Sequence, residues 1–136
     1  GDFDGDGKGD FATFNGNGWF MSPSSSNYGS FSITNWGSAG DKPVAGDYDG
    51  DGKDDLAVFR PSDQTWYIQN SGGGIAYVNF GLATDIPVPA DYDGDGKLDV
   101  AVYRDGTWYI NQSTAGILIT QFGVAADTPI PNTYFP

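Results

Sequence analysis

The sequence predicts an all-β chain built from three tandem units of four short strands. Three observations predict it. The first is an internal repeat. "DFDGDGKGDFATF" begins at Asp2, "DYDGDGKDDLAVF" at Asp47 and "DYDGDGKLDVAVY" at Asp91, so the spacings are 45 and 44 residues. The second is composition. The chain has 21 Gly in 136 residues, 15% aromatics and few extended runs of helix formers, as turn-rich β proteins do. The third is that the similarity runs on past the acidic stretch. Trp19, Trp66 and Trp108 open "WFM", "WYI" and "WYI"; "FSITNWG", "IAYVNFG" and "ILITQFG" follow; "DKPVAGDY", "DIPVPADY" and "DTPIPNTY" come last.

The second unit illustrates the strands. "DLAVF" is apolar at successive positions, as a strand buried between two neighbouring sheets must be. "TWYIQN" and "IAYVNF" come next. "IPVPA" is short and carries proline, which cannot donate to a ladder, so it belongs at a sheet edge. Asp105-Gly106 is a hairpin turn, and Asn15-Gly16-Asn17-Gly18 stands in the same place. The second unit has two extra residues there, within "PSDQ". Four strands in about 40–50 residues is the period of a β-propeller blade. A β-solenoid is the competing architecture, but its coils are usually shorter. The units divide as 1–46, 47–90 and 91–127, with 128–136 a C-terminal strand that completes a blade.

Each unit opens on D-x-D-x-D-G-K-x-D. Carboxylates about 5 Å apart repel by on the order of 1 kcal/mol per pair even in water, so their crowding calls for a cation. Oxygen ligands at positions 1, 3 and 5, with a backbone carbonyl at 7, suit calcium. These are Asp2, Asp4, Asp6 and the carbonyl of Lys8; Asp47, Asp49, Asp51 and the carbonyl of Lys53; Asp91, Asp93, Asp95 and the carbonyl of Lys97. Position 9 adds a fourth carboxylate: Asp10, Asp55 and Asp99. The lysine ammonium groups are expected to face solvent. Gly7, Gly52 and Gly96 are placed for a sharp turn at positive φ. An EF-hand needs Glu at position 12 and flanking helices; Thr13, Val58 and Val102 stand there instead. Magnesium prefers fewer protein ligands, and zinc lacks its His or Cys. One such loop could be a solvated acidic turn; three at one spacing argue for about three Ca²⁺ per chain. The loops use 12 of the 18 Asp, and three ions would move the net charge from -12 to -6.

The stretches "PVAGDYDGDGKDDLAVFR…TWYI…NFG" and "PVPADYDGDGKLDVAVYR…TWYI…QFG" resemble the FG-GAP-type repeats, also called VCBS repeats, of bacterial secreted proteins. Integrin α-subunit propellers use a related loop. The resemblance covers nearly the whole chain. It implies propeller blades with calcium between the innermost strand and the next, held by the residues named above. It also implies a secreted or cell-surface setting and a role in adhesion, carbohydrate binding or scaffolding.

Other recurrent residues have plainer readings. Trp19, Trp66 and Trp108, with Phe20, Tyr67 and Tyr109, could be sugar-stacking platforms, but aromatics at a fixed register usually fill a core. Arg60 and Arg104 end equivalent strands and are expected to pair with a nearby Asp; Asn15 replaces them in the first unit. Asp41, Asp85 and Asp127, each two residues before Pro, read as turn residues.

The net charge of -12 argues against nucleic acid and anionic membranes. No apolar run approaches the length of a membrane span, and no signal peptide is visible, as in a mature form or a fragment. The absence of Cys removes disulfides, which a metal can replace as a staple. With no His, Cys or Glu, an enzyme is not expected. The function expected is a calcium-binding extracellular repeat with a structural or adhesive role; the alternative is a lectin-like module with a glycan ligand. Self-association is expected too. "DTPIPNTYFP" enters a fourth repeat but puts Thr133 and Phe135 where loop carboxylates belong, and Gly1-Asp2 opens directly on a loop. A spare strand at one end and a missing one at the other favour head-to-tail pairing into a ring or filament, with a glycan or protein as a further possible ligand.

Overall fold

The computed structural model describes residues 1–131 and contains three antiparallel sheets. The first has three strands: β1 (Phe11–Phe14), β2 (Gly18–Ser22) and β3 (Ser32–Asn35). The second runs β4 (Lys42–Pro43), β5 (Leu56–Arg60), β6 (Thr65–Gln69) and β7 (Ile75–Asn79). The third repeats it with β8 (Ile86–Pro87), β9 (Val100–Arg104), β10 (Thr107–Gln112) and β11 (Gly116–Gln121). The only helical residues described form one 3-10 turn, Ser24–Ser26, and no helix described is long and apolar enough to cross a membrane. The all-β expectation holds. Four strands per unit holds for the second and third sheets and fails for the first, because no described strand pairs with the outer edge of β1.

The short Pro-bearing strands do lie at sheet edges, and each joins the unit that follows it. Pro43 sits opposite Val58 and Pro87 opposite Val102, across the acidic loop. The proline nitrogen has no hydrogen to offer, and the ladder is carried by the next residue: Val44 N–H donates to Ala57 C=O and Val88 N–H to Ala101 C=O, both at 2.8 Å. The C-terminal strand expected over 128–136 lies partly outside the described residues, and residues 128–131 form no strand.

Strand β5 shows why its sequence is apolar at successive positions. Ala57 and Phe59 pack with Val100 and Val102 of the third sheet, while Leu56 and Val58 pack with Trp19 of the first. Side chains alternate across a strand, so a sandwiched strand is apolar throughout. The tryptophans complete this core. Trp19 and Trp66 are buried, and each indole N–H donates to the carbonyl ending the next strand: Trp19 to Trp36 C=O at 3.0 Å, Trp66 to Phe80 C=O at 3.1 Å. Trp108 repeats the bond to Phe122 C=O at 2.9 Å, but on a sheet with no described neighbour beyond it, and stays half-buried.

The paired arginines behave as their position suggests. Arg60 forks onto Asp41, and Arg104 onto Asp85. The same carboxylates accept a turn N–H three residues back, Ser38 and Leu82, both at 2.8 Å; Asp127 accepts that of Val124. Each guanidinium lies over a strand tyrosine, 4.2 Å from the Tyr67 ring centre and 4.5 Å from that of Tyr109.

Core tryptophans differ in cover, so their truncation separates interior from rim. Trp66→Ala, at 0% exposure, is expected to cost about 3–5 kcal/mol in denaturant unfolding. Trp108→Ala is expected to cost clearly less; equal losses would contradict the packing described.

Candidate metal centre

The three acidic loops fold alike, and their shape follows from glycine and from aspartate bonding its own backbone. In the second loop, Asp47 Oδ1 accepts the N–H of Gly50 and Asp51, and its Oδ2 accepts that of Gly52 at 2.8 Å. Asp49 accepts from Asp51, and Asp51 from Lys53. Asp2 and Asp91 make the same set of bonds in their loops. Such a curl needs residues at positive φ: Gly52 has φ 88° as expected, and Gly50, whose role the spacing did not indicate, has φ 81°.

The curl gathers carboxylates. Asp2, Asp4 and Asp6 bring one oxygen each within 4.8 Å of one another; so do Asp47, Asp49 and Asp55, and so do Asp91, Asp93 and Asp99. Burial raises the pKa of Asp49 and Asp55, and neighbouring carboxylates push the same way. Hydroxyls act oppositely at the loop rim. Ser71 lowers Asp51, and Ser113 with Thr114 holds Asp95 at about 2. The donor set is hard oxygen throughout, with no nitrogen or sulfur, and fits a calcium-type cation better than zinc.

The position-9 aspartates are the buried members, and each ties its loop to a distant turn. Asp55 accepts the N–H of Tyr48 through Oδ2 at 2.8 Å and that of Ser71 through Oδ1 at 2.7 Å. Asp99 does the same with Tyr92 and Ser113, and Asp10 with Phe3, Asp4 and Ser24. Ser24, Ser71 and Ser113 then return a hydroxyl bond to Asp6, Asp51 and Asp95, at 2.8, 2.7 and 2.6 Å. These serines were missed in the sequence. Their signal was there: "MSPS", "QNSG" and "NQST" fall at one place in the repeat.

Lysines link one loop to the next. The Lys53 stem crosses Gly5 of the first loop, and the Lys97 stem crosses Gly50 of the second; a Cβ there would stand 2.9 and 3.2 Å from the lysine Cγ. All three position-7 lysines are exposed. The glycan-platform reading of the tryptophans finds no free ring face at Trp19 or Trp66.

Asp55 anchors the loop whether or not a cation is present. Asp55→Ala removes a fully buried carboxylate and the acceptor of two backbone N–H groups, so it is expected to cost about 2 kcal/mol or more even in chelator. Chemical denaturation of the chelated protein checks this; an unchanged midpoint contradicts the anchoring role.

Comparison with known proteins agrees with this geometry in one stretch. No curated protein matches the chain, and neither does any solved structure. The family model described as "FG-GAP-like repeat" matches residues 47–102, from the first carboxylate of the second loop, through β5 to β8 and the third loop, into β9. Residues 47–102 are therefore similar to an FG-GAP-like repeat.

Proposed function

We propose that the chain is a calcium-stabilised, non-catalytic module of propeller-blade type that works outside the cytoplasm in a structural or adhesive role. The observation that supports this is that each of the three acidic loops gathers three carboxylates, from positions 1, 3 and 5 in the first loop and from positions 1, 3 and 9 in the second and third. The ligands in this reading are Asp2, Asp4, Asp6, Asp10 and the Lys8 carbonyl, with Asp47, Asp49, Asp51, Asp55 and the Lys53 carbonyl, and Asp91, Asp93, Asp95, Asp99 and the Lys97 carbonyl. Calcium supplies the positive charge that offsets carboxylate repulsion. Extracellular calcium modules bind with Kd of about 10⁻⁴–10⁻³ M, so such sites fill outside cells and stay empty in cytosol.

The same reading extends to assembly. Between the second and third sheets, the face bearing Phe59, Trp66 and Ile68 meets the face bearing Val100 and Val102. The equivalent face of the third sheet bears Tyr103 and Ile110, already buried, beside the half-buried Trp108, and the first presents Phe11 at 63% exposure. Thr128-Pro129-Ile130 matches Lys42-Pro43-Val44 in register, and Ile130 is 87% exposed where Val88 is fully buried. In this proposal Ile130 of one copy lies along β1 of the next, and copies join head to tail.

Two measurements test the proposal. Binding adds RT ln(1 + [L]/Kd) per site, or roughly 1.4 kcal/mol per ion at ten times Kd. Thermal melting is expected to rise in millimolar calcium relative to chelator, and Asp51→Ala to reduce that rise. An identical midpoint in both buffers contradicts calcium stabilisation. For assembly, sedimentation in calcium is expected to give a multiple of the chain mass for residues 1–136 and a single chain mass for residues 1–127. A monomeric intact chain, or a truncated one that assembles as before, contradicts strand exchange.

A further inference from the structure

The gaps between neighbouring sheets repeat, and one differs from the other in chemistry. Between the second and third sheets lies a cavity of about 320 Å³, walled by Tyr48, Ile68, Val78, Leu98 and Val100. Between the first and second lies one of about 650 Å³, walled at the equivalent positions by Phe3, Met21, Thr34, Asp54 and Leu56. The larger gap therefore has a carboxylate where the repeat has leucine. Leu98 packs against Gly46, and Asp54 takes the same position against Gly1.

One acceptor here lacks any partner, and a buried carboxylate with a single hydrogen bond lines the same gap. Asp54 is 5% exposed, and among the described residues neither arginine nor any lysine pairs with it. Its Oδ2 accepts the Asp2 N–H at 3.1 Å. Gln69 lines the same gap, and its Oε1 is buried with no hydrogen-bond partner. A carboxylate and an orphaned amide oxygen held in a half-apolar cleft destabilise the fold, and local departures of this kind collect at functional sites. Neither group belongs to the loop ligand sets.

We propose that this gap binds a primary alkylammonium group. The ammonium has three donors and no acceptor, which suits Asp54 and Gln69 Oε1 together. The alkyl chain lies against Met21, Leu56 and Ile75, which line the same gap. Two sources share this chemistry: a free alkylamine, and a lysine side chain presented by a partner protein. The site does not depend on the calcium reading, and the test keeps the two apart.

Met21 is the one methionine of the chain and lines the gap, so its methyl signal reports on it alone. The calcium-saturated protein is titrated with n-butylammonium, with Nα-acetyl-lysinamide and, as the uncharged control, with n-butanol. The Met21 methyl is expected to shift saturably with n-butylammonium and little with butanol. Saturation by the lysine derivative as well identifies a lysine side chain as a fitting ligand; its failure restricts the site to free amines. Asp54→Asn keeps an acceptor for the Asp2 N–H and is expected to weaken binding about tenfold or more, with calcium stoichiometry unchanged. Gln69→Met, which removes the orphaned acceptor at similar volume, is expected to weaken it too, and serves should Asp54→Asn fail to fold. No saturable shift with n-butylammonium, equal affinity in the variants, or an equal response to butanol overturns the proposal.

Discussion

One buried carboxylate per sheet holds the repeated architecture in register. Asp10, Asp55 and Asp99 each stand between a loop and a hairpin turn and accept backbone N–H groups from both. The bond fixes where the chain re-enters the sheet after the loop. In the two four-stranded sheets it thereby fixes the offset between edge strand and centre, Pro43 opposite Val58 and Pro87 opposite Val102. Sheet spacing then follows from what stands on the central strand: branched residues on one face, alanine with Phe59 or Tyr103 on the other. The loop is a structural element first, and its ligand chemistry is built on that frame.

That frame leaves a charge problem. Main-chain donors satisfy many of the loop oxygens, yet hydrogen bonds do not cancel the net charge of -12 on the chain. Only two ion pairs join basic side chains to aspartates among the described residues, and both lie at the far turns, Arg60 with Asp41 and Arg104 with Asp85. The loops therefore keep their repulsion for something outside the polypeptide to balance, which is why their recurrence supports a cation. The lysine stems that cross neighbouring loops bring an aliphatic contact at Gly5 and Gly50, and their exposed position leaves the ammonium groups well hydrated.

Much of this was legible in the sequence because it was written three times. A strand apolar at successive positions, "DLAVF", announced burial on both sides; Asp105-Gly106 announced a hairpin, and the structure gives both residues positive φ. Proline at 43 and 87 announced edge strands. What was not legible depended on contacts between residues distant along the chain. The serine anchors lie 14 to 20 residues from their aspartates, beyond any local pattern. Asp54 belongs to no loop ligand set, and its place in the gap where the next repeat has Leu98 shows it as a departure.

The central claim is that each carboxylate loop holds one calcium ion. Equilibrium dialysis against millimolar calcium, with metal and protein quantified in the same sample, counts the ions directly. The account predicts about three per chain, falling to about two in Asp51→Ala. A chain that retains no calcium above the dialysate contradicts it.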